Sequence, residues 1–111
     1  MERYVGKLVR DKIPEIIVAQ GRTPVTRRLT DNEFLTAAKR KLIEESQEAL
    51  YADSQNALIE ELADIAELVD TIAAAASIPL EAISAARKEK AKKKGVFTEK
   101  KFLESIKENP T

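Results

Sequence analysis

The sequence predicts an all-α fold, an antiparallel helical bundle completed by oligomerisation, with a basic N-terminal arm that can include a short strand. Only three glycines and four prolines interrupt the 111 residues, which favours long helices. Apolar side chains recur at i, i+4 and i+7 over residues 56–76, the spacing of one helix face. We expect a single domain, consisting of an arm with a short helix (1–30), a helical core (31–95) and a C-terminal segment (96–111).

The arm contains the first predicted elements. The segment IPEIIVAQ predicts a short helix with Pro14 in its first turn and Gly21 as its C-terminal stop. The next segment, TPVTRRLT at 23–30, has alternating β-branched residues, which indicates an extended strap or a short strand.

Two long helices form the predicted core. Thr30 and Glu33 have the spacing of a capping box, which begins a helix over about 31–52. A second helix is expected over about 56–76. The short DSQ connection between them makes the two helices antiparallel neighbours.

The C-terminal part predicts two further helices. Pro79 suits the first turn of a third helix, which is expected to end before Gly95. Thr98 could cap a last short helix, whose apolar residues would be Phe102, Leu103 and Ile106. The surplus of apolar faces predicts that a second chain completes the bundle as a homodimer or homotetramer.

Composition excludes several kinds of function. The chain has no histidine and no cysteine, so acid–base chemistry near neutral pH depends on carboxylates, lysines or a metal-bound water. Basic and acidic residues both number 19, which gives no net field to attract nucleic acid or a membrane surface. An 18-residue apolar run and a signal-peptide core are both absent, which favours the cytoplasm.

Two acidic segments, KLIEESQEAL and IEELADI, carry the candidate chemistry. At about 100° per residue, Glu45 falls within the apolar arc of the first long helix, and Glu48 lies at its rim. On the second long helix, Glu61 falls within the apolar arc, and Asp64 follows at its rim. Glu44 lies farther out than Glu48.

Four converging carboxylates would repel one another unless cations lay among them. Mg²⁺ prefers such oxygen ligands, and Mn²⁺ can substitute for it. The four inner acids, Glu45, Glu48, Glu61 and Asp64, are therefore candidate metal ligands, with Glu44 as a proton acceptor or an outer-shell carboxylate. Spacing alone leaves open a second interpretation, in which both acidic pairs are solvated helix faces.

At these residues the chain resembles the MazG-like all-α nucleoside triphosphate pyrophosphatases, which also include phosphoribosyl-ATP pyrophosphohydrolase. The resemblance rests on E44-E-x-x-E48 followed by E61-x-x-D64. The segments K7-LVRDKIPEII-17 and K94-GVF-97 resemble a house-cleaning branch of that group, which usually has Arg-Gly-Gly-Phe at the second segment. Lysine at position 94 keeps the charge but lacks the bidentate fork of arginine.

The resemblance implies that a nucleoside triphosphate, non-canonical in the case of the house-cleaning branch, is cleaved to its monophosphate and pyrophosphate. The resemblance also implies that the same four inner acids are the metal ligands and that Lys90 and Lys94 bind phosphate. The arm residues Lys7, Arg10 and Lys12 could add positive charge to the site or form a surface strap. Lysines at a helix C-terminus also interact favourably with its dipole without any ligand. Phosphoribosyl-ATP hydrolysis and a non-catalytic helical interaction module remain as alternatives.

Overall fold

The computed structural model describes residues 1–110, and its regular secondary structure is entirely helical. Within these residues there are four helices: α1 (Ile13–Ala19), α2 (Asp31–Tyr51), α3 (Gln55–Ala75) and α4 (Leu80–Lys94). The predicted all-α class is confirmed. In the same range, no single helix is both long enough and apolar enough to cross a membrane.

The chain divides into two compact units, Met1–Pro79 and Leu80–Thr111. The first unit contains the arm and helices α1 to α3, and the second contains α4 and the C-terminal segment. Gly21 and Gly95 follow α1 and α4 with φ of 80° and 81°. These left-handed conformations favour glycine and end a helix, as the sequence predicts at both positions.

Helix α2 begins with the predicted capping box. The Glu33 amide donates to Thr30 Oγ1 at 3.3 Å, and the Thr30 amide donates to Glu33 Oε1 at 3.0 Å. Arg27 also donates to both Glu33 oxygens. These hydrogen bonds, led by those from Arg27, lower the pKa of Glu33 to about 2. The reciprocal bonds satisfy amides that a helix start otherwise leaves unpaired.

Helices α2 and α3 pack side by side. Ser54 begins α3 by accepting from the Ala57 amide at 3.1 Å, and the connection over 52–54 reverses the chain. The buried residues of this pair are few and small, apart from one leucine and one glutamate; they are Ala38, Glu45, Leu68 and Ala73. Much of the apolar surface of the pair therefore remains uncovered within one chain.

The predicted apolar stripe of α3 is only partly buried. Ile65 and Ile72 are half-buried, whereas Leu58, Leu62 and Val69 are exposed, Leu62 by 53%. The spacing correctly predicts a helix, but burial of these three side chains would require another surface.

Two segments have no regular secondary structure. Residues 22–30 form neither a helix nor a strand, so of the two alternatives for 23–30 the strand is not observed. The last predicted helix is wrong, since no helix follows α4 within residues 95–110. Phe102, Leu103 and Ile106 are exposed there. A helix this short is marginal in water unless it buries an apolar face.

Candidate functional site

Carboxylates of α2 and α3 converge in two overlapping groups. Glu44, Glu45 and Glu48 each offer one oxygen, and these three oxygens lie within 4.8 Å of one another. Glu45, Glu61 and Asp64 form a second group by the same measure. Because Glu45 belongs to both groups, it joins the acids of the two helices. We call these five residues the acid cluster.

Glu45 is the most deeply buried member of the acid cluster, with 5% of its surface exposed. Glu44, Glu61 and Asp64 are half-buried, and Glu48 is exposed. The Oε2 atoms of Glu45 and Glu61 are buried without a hydrogen-bond partner. A buried polar atom without a partner is costly and uncommon in native proteins. These two oxygens therefore indicate that the inner part of the cluster is built to receive a proton or a cation.

The crowding of carboxylates has a direct effect on Glu61. The adjacent carboxylate of Glu45, burial, and the carboxylate of Glu48 together raise the pKa of Glu61 to about 7. All of these influences favour the protonated, neutral carboxyl. One proton thus relieves part of the repulsion at neutral pH.

Three basic side chains contact the acid cluster. Lys7 Nζ lies 2.8 Å from Glu44 Oε1, and Arg10 donates to Asp64 Oδ1 at 2.6 Å. Lys41 Nζ lies 3.5 Å from Glu45 Oε1 and 3.9 Å from Glu44 Oε1. The hydrogen bond from Lys7 lowers the pKa of Glu44.

Five carboxylates and three cations leave the fully ionised cluster with two formal negative charges. A proton on Glu61 removes one of them. A bound divalent cation would neutralise both, and carboxylate oxygens are the ligands that Mg²⁺ and Mn²⁺ prefer.

The structure brings together Glu45, Glu48, Glu61 and Asp64, the four predicted metal ligands. Glu45 is buried, as its position on the helical wheel predicts. Glu44 lies closer than the wheel suggests, because its oxygen belongs to the same group as those of Glu45 and Glu48.

The predicted phosphate-binding residues fall into three situations. Lys7 and Arg10 contact the acid cluster directly. Lys12 is exposed and makes no ion pair within residues 1–110. Lys90 and Lys94 are exposed on α4 in the second unit. Phosphate binding by any of the five stays a prediction.

Sequence reasoning missed Lys41 and the side chains of a neighbouring groove. The signal for Lys41 was present, since Lys41 precedes Glu44 and Glu45 by three and four residues, the spacing of helical ion pairs. An open groove of about 690 Å³ adjoins the acid cluster. It is lined by Lys7, Glu44, Gln47, Glu48, Leu50 and Tyr51.

Comparison with known proteins finds a relative that matches part of the chain. The chain is 50% identical over 56 residues to an uncharacterized protein of Mycolicibacterium smegmatis (strain ATCC 700084 / mc(2)155). The matched region is 50% of this chain and 57% of the relative, so the chain spans less than two thirds of that protein. No protein-family model matches the chain, and no solved structure matches it.

Proposed function

We propose that the protein is a cytoplasmic, Mg²⁺-dependent nucleoside triphosphate pyrophosphatase that cleaves (d)NTPs, in particular non-canonical ones, to the monophosphate and pyrophosphate. The observation that carries this proposal is the pair of buried, unpartnered oxygens on Glu45 and Glu61 at the junction of two carboxylate groups. The resemblance of both acidic segments to MazG-like proteins supports the same reaction.

The residues present suit a hard divalent cation. Glu45, Glu48, Glu61 and Asp64 would hold it, and all four offer oxygen ligands. A cation at this position supplies Lewis-acid polarisation of phosphate oxygens and lowers the pKa of a bound water. The chain has no histidine, so Glu44 is the residue that we assign to accept a proton or hold an outer-shell water.

Phosphate charge requires basic side chains beside the acids. Lys7 and Arg10 already lie at the acid cluster, and Lys12, Lys90 and Lys94 are further candidates from the sequence. Arginine can bind two phosphate oxygens through its planar fork, whereas lysine acts as a point charge. We assign the phosphate chain to the part of the acid cluster that Lys7 and Arg10 contact.

The groove beside the acid cluster suits the nucleoside end of such a substrate. Its volume of about 690 Å³ lies within the range of small-molecule sites. Gln47 offers an amide donor and acceptor, and Tyr51 offers an aromatic face. Base stacking on aromatic side chains tolerates different bases, which fits a broad or non-canonical substrate range.

We further propose that the active form is a homodimer or homotetramer. Leu58, Leu62 and Val69 are exposed along one helix, and Ile43 and Leu50 add exposed apolar surface on α2. Large exposed apolar patches mark protein–protein contacts in soluble proteins. Size-exclusion chromatography with light scattering measures the mass directly, and a monomer of 12.4 kDa would contradict the assembly.

The experiment that tests the reaction is pyrophosphate release with Mg²⁺ from a nucleotide panel. The panel includes standard and non-canonical (d)NTPs, dUTP and phosphoribosyl-ATP, so it separates the proposed activity from phosphoribosyl-ATP hydrolysis. Glu48→Ala and Asp64→Ala should each reduce turnover by at least about 100-fold, since loss even of outer-shell metal partners costs 10–100-fold.

The matched control is Glu60→Ala, which removes an exposed acid from the same helix as Asp64. This variant should keep wild-type turnover. Full activity in Glu48→Ala or Asp64→Ala would contradict the assignment. If no nucleotide is cleaved and Mn²⁺ does not bind, the non-catalytic helical module becomes the better interpretation.

A further inference from the structure

The segment before α1 joins both helices of the acid cluster. We call residues 7–12 the N-terminal strap. Lys7 extends to Glu44 on α2, and Arg10, three residues later, extends to Asp64 on α3. The Ile13 amide donates to the Arg10 carbonyl at 3.0 Å, so the strap leads directly into α1. The strap therefore places one cation on each helix of the metal-ligand set.

The two ion pairs of the strap are partly exposed to solvent, so they are weak enough to be displaced. The Lys7 and Arg10 side chains are 49% and 60% exposed, and their acceptors are 29% and 35% exposed. An ion pair with this exposure alters an equilibrium constant by less than about tenfold. A ligand that binds the same carboxylates more strongly can displace it.

The buried carboxylates of Glu45 and Glu61 explain why a cation would bind here and compete with the strap. Glu45 is almost fully buried, and its Oε2 atom has no partner, nor has Glu61 Oε2. Glu44 and Asp64, the acceptors of the strap, each belong to a carboxylate group that includes Glu45. A divalent cation drawn to the inner carboxylates is thus close to the two carboxylates that Lys7 and Arg10 contact.

We propose that Lys7 and Arg10 are exchangeable phosphate-binding residues, which neutralise Glu44 and Asp64 until a divalent cation competes for those carboxylates and then transfer to the phosphate oxygens of the nucleotide. This inference rests on the proposed function and identifies the residues that supply positive charge to the phosphates. Cation and strap compete for the same acids, so each weakens the other's binding by the same factor. Phosphate and strap have opposite charges, so they attract each other.

The exchange predicts effects of opposite sign on two ligands. In the double variant Lys7→Ala/Arg10→Ala, Mn²⁺ alone should bind roughly tenfold more tightly, because two competing cations are gone. Inorganic triphosphate, titrated with saturating Mg²⁺, should bind at least about tenfold more weakly, because two phosphate-binding charges are gone. A strap with only a structural role would not change the two affinities in opposite directions.

Two further proteins serve as controls. Lys7→Arg/Arg10→Lys keeps both charges and should leave the Mn²⁺ affinity within about threefold of wild type. Arg28→Ala/Lys39→Ala removes the same types of charge from exposed positions and should leave the affinities for Mn²⁺ and for triphosphate unchanged. In the wild-type chain, the Ile13 amide, which donates to the Arg10 carbonyl, should exchange hydrogen faster when Mn²⁺ is added, which tests the release without any substitution.

The outcomes separate the inference from the proposed function. Tighter Mn²⁺ binding, weaker triphosphate binding and faster hydrogen exchange at Ile13 would support the proposed transfer of Lys7 and Arg10. If wild-type protein binds Mn²⁺ but the double variant has unchanged affinities and the Ile13 amide is unaffected, the transfer is refuted and the metal site stands. Absence of Mn²⁺ binding by every variant would refute the metal site and the exchange together.

Discussion

Binding of a divalent cation to the acid cluster should release a proton from Glu61. The neighbouring Glu45, burial and Glu48 raise the pKa of Glu61 to about 7, so the carboxyl holds a proton over much of the neutral range. A metal ligand must be deprotonated. Cation binding and proton release are consequently linked, and the number of protons released depends on pH.

The expected number follows from the pKa of Glu61. With a pKa of about 7, the protonated fraction is about 0.9 at pH 6, about 0.5 at pH 7 and about 0.1 at pH 8. Mn²⁺ binding should therefore release about 0.9, 0.5 and 0.1 protons per chain at these three pH values. The apparent Mn²⁺ affinity should fall by about tenfold as the pH decreases from 8 to 6, because protons compete with the cation.

The assay is isothermal titration of the protein with Mn²⁺ in pairs of buffers that differ in ionisation enthalpy and do not bind the metal. The difference in observed heat within a pair gives the protons released. Glu60→Gln, which removes an exposed acid next to Glu61, should keep the wild-type release. Glu61→Gln should eliminate it and weaken binding. Wild-type binding at pH 6 with no proton released would refute the role of Glu61 as a protonated metal ligand.

Three other predictions concern stability and substrate binding. Without a divalent cation, the raised pKa of Glu61 should make Tm fall as the pH rises from 4.5 to about 7, because only the folded state retains the proton in that range. Glu61→Gln should flatten this part of the curve of Tm against pH. An unchanged slope in that variant would contradict the role of Glu61. Thr30→Ala should lower the free energy of unfolding by about 1 kcal/mol in urea titrations, since it removes the acceptor of the capping box, whereas Thr30→Ser should be nearly neutral. Tyr51→Ala should raise KM for the nucleotide about tenfold and leave kcat within about twofold, while Tyr51→Phe should keep the wild-type KM. A wild-type KM in Tyr51→Ala would show that the nucleoside does not bind in the groove.

Local sequence signals predicted the parts of the fold that depend on neighbours along the chain. The capping box at Thr30 and the glycines that end α1 and α4 involve residues within one helical turn. The inward position of Glu45 is equally local, because helical periodicity alone determines which residues share a face. The pairing of Glu45 with Glu61 required one more step, the short connection that makes α2 and α3 antiparallel.

Other features depend on contacts that no local pattern specifies. The partners of Lys7 and Arg10 lie 37 and 54 residues away in the chain. The charges of both residues could be predicted, but their acceptors could not. The apolar spacing after Thr98 indicates a helix face, but spacing does not show whether another surface covers that face. The same reason explains why Leu62 matches the apolar stripe of α3 and is nevertheless exposed.

The placement of positive charge distinguishes Glu45 from Glu44 and Asp64. Lys41 belongs to α2 and contacts Glu45, which follows it by four residues, so it remains with the cluster as long as the helix is folded. Lys7 and Arg10 belong to the strap and contact Glu44 and Asp64 through exposed pairs. Lys41 therefore offsets the burial of Glu45 in every state of the site, whereas the charge near Glu44 and Asp64 can vary. Two adjacent helices that share five clustered acids need both kinds of cation if they are to fold without a divalent ion and still receive one.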